Sequence, residues 1–178
     1  MNEGRISIRY AGALYAMAVE KKCEHTIYKQ LFTLTNSYFG TPGLSDALSN
    51  PIYTKKQKLD LLITASGKSS SKELISFFEF VLDKGREEFI LFMCMSYQDI
   101  YRKEQKMVVG EIISTVSLDD KAIKQITEFV KAKYDQKLEL ISKIDPSLIG
   151  GFIFEVNNQR MDASIKEELK NIQLSMTA

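Results

Sequence analysis

The sequence contains few of the residues on which most catalytic and metal-binding sites depend. It has two cysteines, one histidine and no tryptophan among 178 residues. Because Cys23 and Cys94 lie far apart and no secretory signal accompanies them, we expect two reduced thiols packed as small core residues. A zinc site needs several ligands at short spacing, and His25 has no such neighbours, so we expect an exposed residue at a helix start. We therefore predict no catalytic residue, no metal and no cofactor.

Net charge and long hydrophobic runs are also missing. The 24 basic and 23 acidic residues leave a net charge of +1, whereas nucleic-acid-binding domains usually carry a clear basic excess. The longest apolar run, Phe89–Met95, has seven residues, and a membrane-spanning helix needs about 20. The N-terminal residues resemble neither a signal peptide nor a transit peptide. We expect no nucleic-acid partner and no direct insertion into a membrane.

The first hundred residues show the apolar spacing of amphipathic helices, in five long segments and one short one. Glycine, proline and polar residues separate these segments at 40–43, 50–51, 67–71 and 85. The patterns Thr54-x-x-Gln57 and Ser70-x-x-Glu73 are typical of capping boxes at helix N-termini. We therefore predict an N-terminal six-helix bundle over residues 1–105.

Residues 106–178 have a different pattern. Segments rich in Val, Ile and Thr predict three strands. These strands lie at 107–116, 138–144 and 152–156. Helical spacing follows Asp119, and again follows Asp162 or Ser164, so each of these places begins a predicted helix. The predicted C-terminal domain is a small α/β unit of order β-α-β-β-α, and the fold class is mostly α.

The most specific segment of the chain is Ile144–Ile165. It contains Asp-Pro, then a Gly pair before Phe-Ile-Phe-Glu-Val, and finally Met-Asp-Ala-Ser-Ile. Glycine reaches positive φ and allows another backbone to come close, but it weakens a strand otherwise. The pair Gly150-Gly151 therefore predicts a tight bend or bulge at the entry to a buried strand.

This segment resembles the C-terminal signature of the ATP synthase delta subunit family, whose mitochondrial relative is the oligomycin-sensitivity-conferring protein. The residues that carry the signature are Asp145, Gly150, Gly151, Asp162 and Ser164. Phe154 is a departure, because the family usually has the smaller Val or Ile in this strand.

Further similarity lies in the N-terminal half. Arg9–Ala18 resembles the family's first-helix motif, and Asn50–Leu62 resembles its mid-domain motif. The family carries a short polar turn with Arg after the fifth helix, and Gly85-Arg86 stands at that place. Gly85 replaces the Asn or Arg that the family often has, so we expect a turn of somewhat different shape.

The resemblance implies a non-catalytic peripheral-stalk (stator) subunit of a rotary, proton-translocating ATP synthase. It implies that the first and fifth helices receive the N-terminal amphipathic helix of an alpha subunit of the catalytic head. The C-terminal domain is expected to bind the C-terminus of the stalk b subunit. We expect one copy per complex and a monomer in isolation. The expected location is the cytoplasmic face of the bacterial inner membrane, which the protein contacts only through the complex.

By position, the resemblance implicates three residues of the first helix and four of the fifth. They are Tyr10, Ala13, Met17, Phe77, Phe80, Val81 and Lys84. The small residues of the first helix would let another helix approach closely, either inside the bundle or as a groove for a partner. Phe77 and Val81 fit a core position equally well. Phe80 is the best groove candidate, because it interrupts the inward spacing of its neighbours.

Two other functions remain as alternatives. Gly67-Lys68-Ser69 resembles the end of a phosphate loop, which would suggest a nucleotide-dependent enzyme. However, position 62 is Leu where such a loop needs Gly, and a predicted helix precedes it where a strand is needed. The other alternative is a helical interaction adaptor outside the ATP synthase.

Overall fold

The computed structural model describes residues 3–41, 43–67, 70–116, 137–156 and 159–167, with isolated residues at 119, 121, 123, 124, 127, 128 and 169. Lys68 and Ser69, most of the helix predicted after Asp119 and the end of the last helix lie outside the described residues. The chain divides into two units, Met1–Lys103 and Glu104–Ala178. Whether each unit folds independently stays a prediction.

Unit 1 is helical throughout its described elements. These are α1 (Glu3–Glu20), α2 (Glu24–Gly40), α3 (Gly43–Ser49), α4 (Lys55–Ala65), α5 (Lys72–Asp83), a 3-10 turn (Glu87–Phe89) and α6 (Ile90–Glu104). The prediction of a mostly helical protein is confirmed. The prediction of six helices differs from the seven helical segments described here, because the residues before Ile90 form a separate 3-10 turn.

One of the two predicted capping boxes is present. The Thr54 side chain accepts a hydrogen bond from the Gln57 backbone N–H, and the Gln57 side chain accepts one from Thr54 in return. The second is wrong, because Ser71 is the N-cap of α5 and makes no side-chain cap bond. Ser70 bonds within the α4–α5 connection instead: its hydroxyl lies 2.7 Å from that of Ser66, the C-cap of α4.

Apolar side chains from all of the helices α1 to α6 contribute to the interior of unit 1. Its largest fully buried side chains include Ile27, Leu31, Leu34, Leu62, Leu74, Phe78, Ile90, Met93 and Tyr97. The helical spacing of apolar residues thus identifies the inward face of each helix correctly. His25 is exposed, as predicted, and its Nδ1 is hydrogen-bonded to the Tyr101 hydroxyl at 2.8 Å.

Unit 2 contains a four-stranded mixed sheet. Its strands are β1 (Met107–Ser114), β2 (Lys137–Ile144), β3 (Gly151–Val156) and β4 (Gln159–Ser164). They lie in the order β2-β1-β3-β4. Strand β1 is parallel to β2 and antiparallel to β3, and β3 is antiparallel to β4.

Strand β4 was not predicted. The predicted order β-α-β-β-α is therefore wrong after its third strand, where β4 follows. Five of its six residues are exposed, so it lacks the alternating apolar pattern that marks a strand. Its pairing with β3 makes it a strand, which is a tertiary effect. Helical structure begins at Ile165, after Ser164, whose hydroxyl accepts a hydrogen bond from the Glu167 N–H. Of the two predicted caps, Ser164 is therefore the one that occupies the capping position.

The core of the sheet lies on one face and includes Val108, Ile112, Phe154 and Val156. Gly110 lies on the same face of β1, between two of these residues. A Cβ atom at Gly110 would be 2.8 Å from Leu138 Cδ1 and 2.9 Å from Phe154 Cε2. Phe154 thus occupies the space that a side chain at position 110 would take, and the absence of that side chain explains how the bulky Phe is accommodated.

We expect Gly110→Ala and Phe154→Val to compensate each other. The first alone overpacks the sheet core and the second alone leaves a cavity, each at a cost of about 1–3 kcal/mol. The double variant should be more stable, by roughly 1 kcal/mol, than the sum of the two single-variant losses predicts. Urea unfolding of all four proteins in a double-mutant cycle measures this difference. Gly110→Ala combined with Ile153→Val is the control, because Ile153 projects from the other face. Simple additivity in both pairs would contradict this packing.

Candidate functional site

An open apolar groove lies between α1 and α5. It has a volume of about 390 Å³ and is lined by Arg9, Tyr10, Ala13, Leu14, Met17, Ser76, Phe77 and Phe80. The two helices run in opposite directions along it. The Tyr10 and Phe80 rings lie 5.7 Å apart at one end, and the Lys21 ammonium pairs with the Glu73 carboxylate at 3.4 Å further along.

The residues that line the floor and the rim of the groove differ in exposure. Leu14 and Phe77 are buried and form its floor, while Ala13 is exposed and Met17 is half-buried. The short Ala13 side chain leaves open the space that a larger residue would fill. Phe80 is 50% exposed and lies beside this floor, so its ring extends the apolar surface of the groove to the rim. The groove therefore has the form of a site that an apolar helix face could occupy.

A cation–aromatic cluster forms one end of the groove. The Arg86 guanidinium lies over the Tyr10 ring at 5.3 Å, and its Nη1 donates a hydrogen bond to the Tyr10 hydroxyl at 2.6 Å. The Lys84 ammonium lies 5.7 Å from the centre of the Phe80 ring. Contacts of this kind hold the aromatic rings in place and concentrate positive charge beside them.

The turn after α5 determines where Arg86 points. Gly85 has φ +60°. Its N–H donates to Leu82 O, and the Arg86 N–H donates to Val81 O, which is the hydrogen-bond pattern of a Schellman motif. Glycine suits the left-handed position of this motif because it has no Cβ to strain. The turn therefore ends α5 and directs the chain back toward α1.

An ion pair fixes the other side of this turn. The Lys58 Nζ lies 2.6 Å from Glu87 Oε1, and the Lys58 side chain is almost fully buried. Burial by itself would raise the pKa of Glu87, but the hydrogen bond and charge of Lys58 outweigh it and hold that pKa below its usual value. Glu87 thus remains ionised at neutral pH and ties the 3-10 turn to α4.

The predicted site residues are placed as follows. Tyr10, Ala13, Met17, Phe77 and Phe80 line the groove. Lys84 lies at its edge, above Phe80. Val81 differs from the prediction: it is 0% exposed, so it belongs to the core beneath the groove. The apolar spacing along α5 was compatible with either a core or a groove position for Val81. Only the packing of the bundle decides between these two positions.

Three lining residues were missed by the sequence prediction: Arg9, Leu14 and Ser76. Leu14 lies four residues after Tyr10, and Ser76 lies four residues before Phe80. Residues four apart share a helix face, so this spacing could have identified both. Arg9 lies four residues before Ala13, so the same spacing could have identified it as well.

The signature residues of unit 2 form turns. Asp145 Oδ1 accepts a hydrogen bond from the Ser147 N–H at 2.9 Å, and Asp162 Oδ1 accepts one from the Ser164 N–H at 3.0 Å. The bonds from Ser147 and Ser164 lower the pKa of Asp145 and Asp162 respectively below its usual value. Both carboxylates are therefore ionised acceptors that shape the backbone locally.

The Gly pair begins β3 and lies against the end of β4. Gly151 has φ +80°, and a Cβ there would collide with the carbonyl oxygen of Ala163. A Cβ at Gly150 would lie 2.6 Å from Ile165 Cδ1. The Gly150 carbonyl also accepts a hydrogen bond from the Ile165 N–H at 3.1 Å. The predicted tight bend entering β3 is thus present, and close approach of β4 is what requires glycine.

The described residues contain little that could support catalysis. Burial raises the pKa of the Cys94 thiol to about 12, so it stays protonated. The described part of the chain has no group of three or more His, Cys, Asp or Glu residues arranged to hold a metal ion. Within the same residues, no helix has both the length and the apolar character to cross a bilayer.

Comparison with known proteins gives a consistent result over the full chain. The family model "ATP synthase delta (OSCP) subunit" matches residues 6–176. The "ATP synthase subunit delta" of Phocaeicola vulgatus is 40% identical over 176 residues, which are 98% of this chain and 95% of that protein. The protein of the same name from Bacteroides thetaiotaomicron is 38% identical, covering 97% of this chain and 94% of its own length.

The fold also matches a solved structure. A chain in the cryo-EM structure of the Toxoplasma gondii mitochondrial ATP synthase hexamer aligns with a TM-score of 0.61 and covers 97% of both chains. Its sequence identity is 20%. At that identity the match establishes similarity of fold.

Proposed function

Because this chain belongs to the ATP synthase delta (OSCP) subunit family, we propose that its α1–α5 groove receives the N-terminal amphipathic helix of an alpha subunit of the catalytic head. The protein is a non-catalytic subunit of the ATP synthase peripheral stalk. In a rotary enzyme the head must not turn with the rotor, so a stalk subunit contributes by binding tightly to stationary partners. The N-terminal unit, a helical bundle, supplies the surface for the head.

The observation that carries this proposal is the apolar groove with Phe80 half exposed at its edge. An amphipathic helix that places its apolar face there would remove this side chain and Met17 from water, at about 25 cal/mol per Å² less the ordering costs. Ala13 allows the helix to come close, as small residues do at helix–helix contacts. Buried aromatic residues in such a pocket are the usual sources of affinity.

We further propose that unit 2 binds the C-terminal part of the stalk b subunit. Six exposed large apolar side chains lie in and beside its sheet among the described residues. They are Val116, Ile144, Ile149, Met161, Ile165 and Leu169. A partner that covers several of them would remove apolar surface from water. The complex is membrane-associated, and we place this subunit at its cytoplasmic face, with one copy per complex.

The two alternative functions have less support. The nucleotide-binding hypothesis rests on Gly67, Lys68 and Ser69. However, helix α4 precedes this segment, where a phosphate loop requires a strand. An adaptor outside the ATP synthase would explain the groove equally well. Family membership over the full chain favours the stalk subunit.

A direct test is affinity purification of the tagged protein from its native membranes. We expect the head subunits and the b subunit to be recovered together, and a peptide of the first 25 or so residues of the cognate alpha subunit to bind the purified protein in a saturable manner. The control is the same purification with a tagged, unrelated helical protein. Recovery of neither head nor b subunit, with no peptide binding, would refute the stalk assignment of these surfaces.

A further inference from the structure

We propose that the groove selects a partner helix that carries acidic side chains beside its apolar face, positioned to meet the Tyr10–Phe80 end. This inference rests on the proposed function, because it specifies the chemistry of the helix that the groove binds. Charged side chains are distributed unevenly around the groove, and this distribution determines which helices it accepts and in which orientation.

Three cations gather at the Tyr10–Phe80 end. Arg9 lines the groove on the α1 side, Lys84 lies over the Phe80 ring at 5.7 Å, and Arg86 lies over the Tyr10 ring at 5.3 Å. Attraction to the ring faces holds the Lys84 and Arg86 side chains beside this apolar surface. An apolar partner surface at this end would therefore be bordered by positive charge.

In the part of the chain that the structure describes, neither Arg9 nor Lys84 forms an ion pair. Among the described residues, the ion pairs join other side chains, and no hydrogen bond or ion pair of these two is present. Arg86 donates its hydrogen bond to a neutral hydroxyl. The charges at this end are therefore available to carboxylates of a partner.

The acidic residues nearby do not cancel this charge. Asp83 is paired with Lys55 of α4 at 2.7 Å. The hydrogen bond and charge of Lys55, with a smaller contribution from the adjacent Lys84, hold the pKa of Asp83 below its usual value. Glu79 precedes Phe80 but does not line the groove. At the other end of the groove, by contrast, Lys21 and Glu73 neutralise each other at 3.4 Å. The groove is thus positive at one end and balanced at the other.

This asymmetry has a consequence for orientation. A helix with an acidic flank gains favourable electrostatic energy only when that flank lies at the Tyr10–Phe80 end. A basic flank there would be repelled, which excludes amphipathic helices of the wrong charge. Apolar contact supplies the affinity, and the cations select among helices of similar hydrophobicity.

The test uses the N-terminal peptide of the cognate alpha subunit and two charge-neutralised proteins. The groove variant carries Arg9→Gln and Lys84→Gln. The matched control carries Lys29→Gln and Lys56→Gln, which remove the same charge from exposed positions outside the groove. Fluorescence anisotropy measures the Kd at 0.05 and 0.5 M NaCl. A second peptide has every Asp and Glu replaced by its amide.

We expect the groove variant to bind the native peptide about three- to tenfold more weakly at low salt, as for two exposed ion pairs. The control should bind like the unmodified protein. High salt should weaken the unmodified complex and leave the groove variant nearly unchanged. The amide peptide should not distinguish the two proteins.

Equal loss in the groove variant and the control, or an amide peptide that binds as tightly as the native one, would overturn this inference while leaving the groove function intact. If the native peptide does not bind the unmodified protein at all, the groove function is refuted, and this inference with it. Circular dichroism of each variant verifies that the bundle is folded.

Discussion

Ala13→Trp is expected to weaken binding of the alpha-subunit N-terminal peptide by at least about 100-fold, or ~2.7 kcal/mol. Ala13 is exposed and lines the groove, so an indole there would occupy the space of the partner helix. The free protein loses no core contact. Its free energy of unfolding should therefore change by only about 1 kcal/mol or less, mainly from helix propensity. Isothermal titration calorimetry and thermal unfolding measure the two quantities on the same sample.

Ala16→Trp is the matched control for this variant. Ala16 is also exposed on α1, but it does not line the groove. It should leave peptide affinity unchanged. If both variants bind the peptide normally, the partner occupies another face of the protein. If Ala13→Trp lowers the melting temperature sharply without loss of affinity, Ala13 is a core residue.

Phe80→Asp tests the opposite wall of the same groove. It removes an aromatic contact and places a carboxylate in an apolar interface, at an expected cost of a few kcal/mol in binding, or about 100-fold in Kd. Phe92→Asp on α6 makes the same chemical change at a side chain that is 52% exposed, against 50% for Phe80. Both variants should fold, and only Phe80→Asp should lose the peptide.

Gly151→Ala is expected to destabilise unit 2 by roughly 3 kcal/mol or more, enough to disrupt its sheet. Two costs combine at this position. A residue with a Cβ is strained at φ +80°, and the Cβ itself would collide with the backbone of β4 at Ala163. Backbone on both sides leaves no flexible side chain that could move aside. Hydrogen exchange should show loss of protection in β3 and β4, while unit 1 keeps its protection and its peptide affinity.

Gly150→Ala is the neighbouring control. Its Cβ would meet the flexible end of the Ile165 side chain, which can adopt another rotamer, so a smaller cost of about 1 kcal/mol is expected. Gly85→Ala measures the cost of backbone strain alone, because Gly85 has φ +60° and an added Cβ there would meet no other atom. Equal stability of the two glycine variants in unit 2 would contradict a role for close strand approach.

Local patterns in the sequence determine most of the helical unit. Apolar spacing identifies the buried face of each helix because the 3.6-residue period is a property of the chain itself. The capping box at Thr54 and the helix end at Gly85 follow from side-chain and backbone chemistry within five residues. The Gly150-Gly151 bend is recognisable for the same reason, and the signature around it identifies the family.

The tertiary structure alone decides features that depend on distant neighbours. Ser71 at the start of α5 makes no side-chain cap bond, because its hydroxyl donates to the Gln30 side chain of α2, 41 positions away. Strand β4 exists because β3 pairs with it, although its own residues are mostly exposed and lack a strand pattern. In each case the local preference is weaker than the contact that the fold provides.

The same division holds for the groove. The sequence, through its resemblance to a family, predicted a partner site on the first and fifth helices, with Tyr10, Ala13 and Phe80 within it, and these three residues line the groove between α1 and α5. The spacing along α5 already predicted that Phe80 points outward, whereas only packing placed Val81 in the core, because the bundle selects which direction is inward. The cluster of unpaired positive charge at one end is likewise tertiary, because it joins residues more than 70 positions apart in the chain.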